Sequence, residues 1–374
     1  MFMDIKIPFL NFTPMHAEIK AEMEEAFDRV YKSNWFVLGK EVTKFENAYS
    51  AFNQVKYSIG LSNGLDALHL ALKACNVGFG DEVIVPSNTY IATVLAVSYV
   101  GATPVFVEPN IKTYNIDPNR IEAAITSKTK AIIPVHLYGQ ACEMSAIMAL
   151  AKKYNLYVIE DNAQSQGANF DGKLTGSWGN INATSFYPGK NLGALGDAGA
   201  ITTDLDDFDQ KVRTFRNYGS QQKYYNEVIG HNMRLDELQA AFLSVKLKKL
   251  NEWTAKRQQI ASWYNETLRD VDSITLPKVA DGATHVYHLY LIRIKKRNEL
   301  QKYLNDKGVG SLIHYPIPPH LQEAYRYLGF KYGDFPIAEE IAETALSLPL
   351  WPGMTKEDVV RVSNFISDFI YERR

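Results

Sequence analysis

From Tyr57 to Glu160 the chain alternates short apolar runs with amphipathic stretches, and this constrains the fold more than any other feature. Tyr57 to Leu61, Glu82 to Pro86, Pro104 to Val107, Lys130 to Val135 and Leu156 to Glu160 read as strands. Leu65 to Ala74, about Thr89 to Val100, Pro118 to Ile125 and Met144 to Tyr154 read as helices, the third with proline in its first turn. Runs such as Ala131-Ile132-Ile133-Pro134-Val135 are apolar without a period of two, as strands covered on both faces are. The expectation is an α/β fold with a mostly parallel sheet flanked by helices.

The flanks differ. Met15 to Tyr31 predicts a helix with Ile19, Met23, Phe27 and Val30 on its apolar face, and Glu41 to Phe52 a second with Phe45 and Tyr49 inward. Phe208 to Asn217 predicts another helix, and Arg234 to about Leu268 a long, nearly continuous one. Beyond it, His285 to Ile294 alternates like a strand, and Arg297 to Lys307, Ala338 to Ala345 and Lys356 to Tyr371 read as helices. With 374 residues the chain has material for roughly two domains. The reading is a large domain over 1–250 and a small α+β domain over 251–374. A net charge of −2 gives no electrostatic footprint for nucleic acid. Two cysteines, Cys75 and Cys142, are too few for a disulfide framework. Met1 to Leu10 holds Asp4 and Lys6 rather than an apolar core, and no run of about 20 apolar residues occurs. A cytoplasmic protein with no membrane segment is expected. The eight histidines show no H-E-x-x-H or paired ligand spacing, so no metal site is expected.

In open α/β sheets ligands bind at the carboxyl ends of strands. After the first strand come Asn63, Gly64 and Leu65 at a helix start, where exposed N–H groups and the helix dipole favour a phosphate; an ordinary N-cap explains Asn63 equally. After the second comes Tyr90, placed to stack on a ring or to fill the core. Leu156 to Glu160 ends at Asp161, an acid whose burial is costly unless it meets a cation or a structural ion-pair partner. A β-type run from Ala183 to Tyr187 stops at Pro188-Gly189, and Lys190 follows before a glycine-rich stretch. A lone lysine there is ordinarily a solvated hairpin residue. A phosphate cradle, a ring stacker, a carboxylate for a pyridinium and a lysine for a Schiff base, all at strand ends of one sheet, together describe a site for pyridoxal 5'-phosphate (PLP). A free lysine, at about 10.4, is too basic for proton transfer, so such a site has to lower it.

The motifs Trp35 to Gly39 with Phe45-Glu46, Asn63 to Leu68, Pro86 to Thr93, Val135 to Gly139 and Glu160 to Gln164 resemble the sugar aminotransferase family (DegT/DnrJ/EryC1/StrS) of fold-type I PLP enzymes. Ser185 to Gly199, Arg216 to Gly219, Gly230 to Asp236, His285 to Tyr290 and Leu348 to Thr355 extend the resemblance over nearly the whole chain. It implies that Lys190 is the Schiff-base lysine and proton shuttle, that Asp161 pairs with the pyridine nitrogen, and that Gln164 lies near the cofactor's ring hydroxyl. It further implies that Tyr90 stacks on the ring, that Asn63, Gly64, Leu65 and Ser185 bind the phosphate, and that the enzyme is a homodimer whose Asn232 and Arg234 reach the partner's phosphate. Leu65 stands where the family usually has threonine, which removes a hydroxyl but keeps the N–H donors. A dehydratase branch has histidine in place of the lysine, and Lys190 argues against it.

Phe186 to Gly193 and His136 to Gln140 resemble the enzymes that aminate C-3 of dTDP-3-keto-6-deoxyhexoses, with glutamate as donor, for surface glycans or natural products. For the substrate diphosphate, Lys223, Arg234 and the His314-Tyr315-Pro316 turn are candidates; Trp35, Tyr187, Tyr224, Tyr225, His285 and His320 are candidates for the sugar or thymine. Amination at C-4 by the same machinery is the alternative, and a non-catalytic PLP-binding regulator the remote one.

Overall fold

The computed structural model describes residues 6–371. Residues 1–5, with Asp4, lie outside the described residues. Helices α1 (Thr13–Glu18), α2 (Lys20–Ser33) and α3 (Lys40–Asn53) precede strand β1 (Tyr57–Leu61). Then follow α4 (Gly64–Ala74), β2 (Glu82–Pro86), α5 (Ile91–Tyr99), β3 (Thr103–Val107), α6 (Pro118–Ile121), β4 (Thr129–Ile132), α7 (Met144–Tyr154) and β5 (Tyr157–Asp161). After the short pair β6 (Asn169–Phe170) and β7 (Lys173–Leu174) come β8 (Ile181–Ser185), β9 (Gly199–Thr203), α8 (Asp206–Phe215) and the hairpin β10 (Ser220–Gln222)–β11 (Tyr225–Asn226). The chain closes with α9 (Glu237–Leu247), α10 (Leu250–Leu268), β12 (Tyr290–Arg293), α11 (Arg297–Asp306), α12 (Pro336–Thr344), β13 (Ala345–Leu348) and α13 (Lys356–Tyr371).

Seven strands form one sheet in the order β1-β9-β8-β5-β4-β2-β3. Only β9 runs against its neighbours β1 and β8; the other pairings are parallel. The mostly parallel sheet flanked by helices is the fold expected of a type I PLP enzyme. β9 itself is invisible as a strand in the sequence because glycine and alanine open it. Its first residue explains the choice: a Cβ on Gly199 would lie 2.4 Å from the carbonyl of Asn63. Glycine there lets the β1–α4 turn close over the start of β9, and the register sets Gly199 opposite both Leu61 and Ser185. Three ligand-facing segments thereby meet at one sheet edge.

Burial follows the apolar faces of α4, α5 and the central strands, where Leu68, Leu70, Leu72, Val83, Val85 and Ile133 are sealed. A separate apolar cluster joins α10, β12, α11, β13 and α13, and takes in Ile7 from the N-terminal segment. The long helix expected over Arg234 to Leu268 is two, since α9 ends at Leu247 and α10 begins at Leu250. α9 packs against α2 and α3, whereas α10 packs against α13. The strand expected over His285 to Ile294 is only Tyr290–Arg293, because its pairing with β13 ends there. Phe27, expected inward on its helix, is 46% exposed. Among the described residues no helix is long and apolar enough to cross a membrane.

One buried ion pair fixes the outer edge of the sheet. Glu46 of α3 accepts from the Gly60 N–H at 2.8 Å, from Arg216 at 2.6 Å and from Arg213 at 2.9 Å. Burial pushes its carboxyl up, but Arg216 and Arg213 together outweigh that and hold it below the usual range. Glu46→Gln leaves Arg216 buried without a countercharge and is expected to cost about 3–5 kcal/mol of stability at neutral pH. Because the folded value is depressed, the wild-type advantage is present above the ordinary glutamate pKa and vanishes as pH falls through the folded one. Urea denaturation of both proteins at neutral and acid pH checks this.

Candidate active site

A cavity of about 960 Å³ opens over the carboxyl ends of the parallel strands. Its floor comes from the large sheet, with Asn63, Gly64, Leu65, Tyr90, Asp161, Gln164, Ser185 and Lys190 in its lining. Its opposite wall comes from the C-terminal elements, through Arg257, His288, His314, Tyr315, Leu348 and Leu350. The structure therefore brings together eight residues that the sequence suggested for a cofactor, plus Tyr187, His314 and Tyr315.

Each is placed by its element. Asn63 caps α4, accepting from the Asp66 N–H at 2.9 Å, and the first-turn N–H groups of a helix have no acceptor of their own. A Cβ on Gly64 would stand 2.5 Å from Ser185 Cβ, so glycine lets that turn and the Ser185 hydroxyl form one cradle. Asp161 ends β5. Thr93 donates to its Oδ2 at 2.8 Å and the Ala163 N–H to its Oδ1 at 3.1 Å. Burial pushes the Asp161 carboxyl up, and these donors with the charges of Lys190 and His136 do not overcome it. The neighbouring Glu160, by contrast, is fully engaged by His136 at 2.7 Å and by three backbone N–H groups. Asp161 thus has fewer hydrogen-bond donors around it than its neighbour, and neither of them is a charged group.

Lys190 follows the tight turn after β8, its N–H bonded to the Tyr187 carbonyl at 2.8 Å, and is half-buried on the cavity floor. Burial pulls its ammonium down to about 8, against the Asp161 charge, which favours the protonated form. Gln164 accepts from the Tyr138 N–H at 2.6 Å and donates to the Tyr315 hydroxyl at 3.1 Å. Tyr90 is 52% exposed, its ring centroid 5.2 Å from that of Tyr315. An anion cradle, an exposed ring, a buried carboxylate without a hydrogen-bonded cation and a lysine of lowered pKa match the phosphate, ring, pyridine nitrogen and aldehyde of PLP. The residues present fit that cofactor.

Other candidates lie elsewhere. His285 is buried in a turn, its Nδ1 accepting from the Tyr287 N–H at 2.9 Å and its ring stacked on Tyr287 at 4.0 Å. His320 is buried against Phe335 and bonded to Glu339 at 3.0 Å. Neither lines the cavity of this chain, and both rings are packed against protein neighbours. Trp35 is exposed, its Nε1 bonded to the Val37 carbonyl at 2.8 Å. Lys223 lies over the ring of Tyr224 beside the hairpin strands β10 and β11, away from this chain's cavity. Asn232 pairs with Asn217, and Arg234 donates to the Asn217 side chain at 2.9 Å over the Tyr218 ring; neither reaches the cavity of its own chain.

Three further residues had no role in the sequence reading. Thr93 lies behind the lining and orients Asp161. His288 and Arg257 come from the C-terminal wall. Arg257 sits among Lys256, Gln258 and Gln259 and reads as solvated, yet it lies four residues after Trp253 and three before Ile260, on the buried face of α10.

Such a fold with such a site defines a PLP enzyme of fold-type I. The chain belongs to the DegT/DnrJ/EryC1/StrS aminotransferase family, whose model matches residues 17–367. It is a PLP-dependent sugar aminotransferase. It is 51% identical over 365 residues, 98% of this chain and all of the relative, to the dTDP-3-amino-3,6-dideoxy-alpha-D-galactopyranose transaminase of Aneurinibacillus thermoaerophilus. It superposes with a TM-score of 0.95 at 42% identity on the crystal structure of S. venezuelae DesV in complex with a ketimine intermediate, over 97% of this chain and 98% of that one. It also resembles, with a TM-score of 0.89 at 32% identity, NtdA from Bacillus subtilis with bound pyridoxamine phosphate, over 98% of this chain and 85% of that one.

In the cofactor-free protein, amine acylation of Lys190 is expected to show a midpoint near pH 8, against about 10.4 for ordinary lysines. Asp161→Asn removes the charge that favours the ammonium and should lower that midpoint further. Mass-spectrometric quantification of Lys190 labelling across a pH series reads both.

Proposed function

We propose that this enzyme transfers the amino group of glutamate to C-3 of a dTDP-3-keto-6-deoxyhexose, giving a dTDP-3-amino-3,6-dideoxyhexose. The observation that carries the reading is the 51% identity, over the relative's full length, to a transaminase named for such a sugar. The galacto configuration at C-4 follows from the same name and is the first substrate to try.

Asn63, Gly64, Leu65 and Ser185 would hold the phosphate of PLP, Asp161 its pyridine nitrogen, Tyr90 its ring face and Lys190 its aldehyde carbon. Bound PLP supplies the electron sink that stabilises negative charge on the reacting carbon. Lys190 Nζ takes the α-proton of glutamate and, in the second half-reaction, returns a proton at the sugar carbon that gains nitrogen. A value near 8 leaves about a tenth of the amine free at neutral pH, enough for it to act as base and acid in turn. Thr93 keeps Asp161 aimed, and Gln164 ties the Tyr138 backbone to Tyr315 at the rim. Tyr187, exposed at the cavity edge, is placed to meet the sugar, with His314 and Tyr315 opposite.

The working form is proposed to be a cytoplasmic homodimer. Large exposed apolar residues concentrate at Phe27, Tyr31, Trp35 and Phe36 and again at Tyr224, Tyr225 and Ile229, in the segments that carry the candidates absent from this chain's own cavity. Trp35, Lys223, Tyr224, Asn232 and Arg234 would then serve the partner's site. Cys75 and Cys142 are free and buried, which suits a reducing compartment.

The purified protein should carry the visible absorbance of bound PLP and convert the 3-keto sugar with glutamate. Lys190→Ala should lose that band and at least ~100-fold of turnover. Product NMR with 3-keto and 4-keto substrates tests the position of amination. An amino group at C-4, or an active and coloured Lys190→Ala protein, contradicts the reading.

A further inference from the structure

Arg257 is 2% exposed, yet its side chain forms part of the cavity wall. Its Nη1 donates to three backbone carbonyls, those of Tyr287 at 3.2 Å, His288 at 3.5 Å and Leu350 at 3.2 Å. Its Nε is buried without a partner among the described residues. Burial alone shifts it, down to about 10, with no carboxylate to oppose the shift. Arg216, about as deeply buried, has Glu46 at 2.6 Å. A buried guanidinium held only by neutral carbonyls is costly, and an anion delivered through the cavity would complete it.

Its surroundings point the same way. His288 lines the cavity with a buried Nδ1 that has no partner among the described residues, and burial first, then the charges of Lys190, Arg257, His314 and His285, keep it neutral. The carboxylates of the lining are Asp161, already bonded to Thr93 and Ala163, and Asp197, which is exposed. Among the described lining residues the C-terminal wall holds no carboxylate to pair with Arg257. The phosphate cradle at α4 is formed by other residues. A nucleotide diphosphate has to extend toward solvent, whereas Arg257 is sunk beside Leu350. A carboxylate is the small anion that fits. It also has to leave with the first product before the sugar enters, and the three carbonyls hold the guanidinium in place between visits.

We propose that Arg257, with His288 beside it, is the subsite for a carboxylate of the amino-acid donor, and so selects a dicarboxylic amino acid for the first half-reaction. This rests on the transamination reading above. The test is calorimetric titration of the holoenzyme with glutarate, a dicarboxylate without an amino group, together with the KM for glutamate. Arg257→Gln should weaken glutarate and raise the glutamate KM by tenfold or more, while dTDP affinity moves less than threefold. Arg257→Lys, which keeps the charge but loses the planar fork, should fall between the two. A folded Arg257→Gln protein with both glutarate and glutamate constants within twofold of wild type overturns the proposal. So does an equal weakening of glutarate and dTDP, which marks a structural role. If Arg257→Gln does not fold, Arg257→Lys decides: a shift confined to the dicarboxylates supports the subsite, and no shift overturns it. Absence of glutamate-dependent turnover in the wild type would instead sink the transamination reading, leaving glutarate binding to judge Arg257.

Discussion

A carboxylate sealed at the end of an apolar strand is the constraint on which the site depends. Tyr157–Asp161 runs through the middle of the sheet, and its last side chain is buried with a hydroxyl and one N–H as hydrogen-bond donors. That is too little to offset the loss of water around a charge, which is why burial still lifts its pKa. On the proposed reading, a cationic ring nitrogen would complete the arrangement when the cofactor binds and so offset this cost. Thr93, which aims the carboxylate, has its own hydroxyl tied to Thr89, so the orientation is set one layer further out, in the turn that leads into α5. Lys190 feels the same carboxylate from across the cavity.

The rest of the architecture keeps the partners of Asp161 at that one edge. The reversed strand β9 brings Ser185 and the Asn63–Gly64 turn to either side of Gly199. The Glu237 carboxylate of α9 accepts the N–H groups of Gly39, Glu41 and Val42, which fixes the start of α3 and hence Glu46 on β1. Lys246 of α9 donates to the Gly193 carbonyl at 2.7 Å, anchoring the loop that carries Lys190. The C-terminal elements close the cavity from the other side and bring Arg257 and His288 to it.

The sequence carried the floor of this cavity and, of its far wall, only the His314-Tyr315 turn. Asp161, Tyr90, Lys190 and the Asn63 turn were legible because parallel strands announce themselves by unbroken apolar runs, and the carboxyl end of each is a fixed place. β9 was not, since its glycine and alanine are required by close contact rather than by strand propensity. The break between α9 and α10 was hidden because residues 248 and 249 are both lysine, an ordinary helix residue. For His285 and His320, residue type alone does not tell a ligand from a packed ring: one stacks on Tyr287 two residues on, and the other bonds to Glu339 of α12. Arg257 was masked by polar neighbours on a helix whose buried face is visible only by counting positions from Trp253.

The central claim is that Lys190, among all the lysines of the chain, holds the cofactor opposite Asp161. Borohydride reduction of the holoenzyme, followed by proteolysis and mass spectrometry, fixes the cofactor to the lysine that carries it. The account predicts a single modified peptide, spanning Ser185 to Gly199, with the label on Lys190. A label on any other lysine, or no label on a protein that turns over ketosugar, would contradict it.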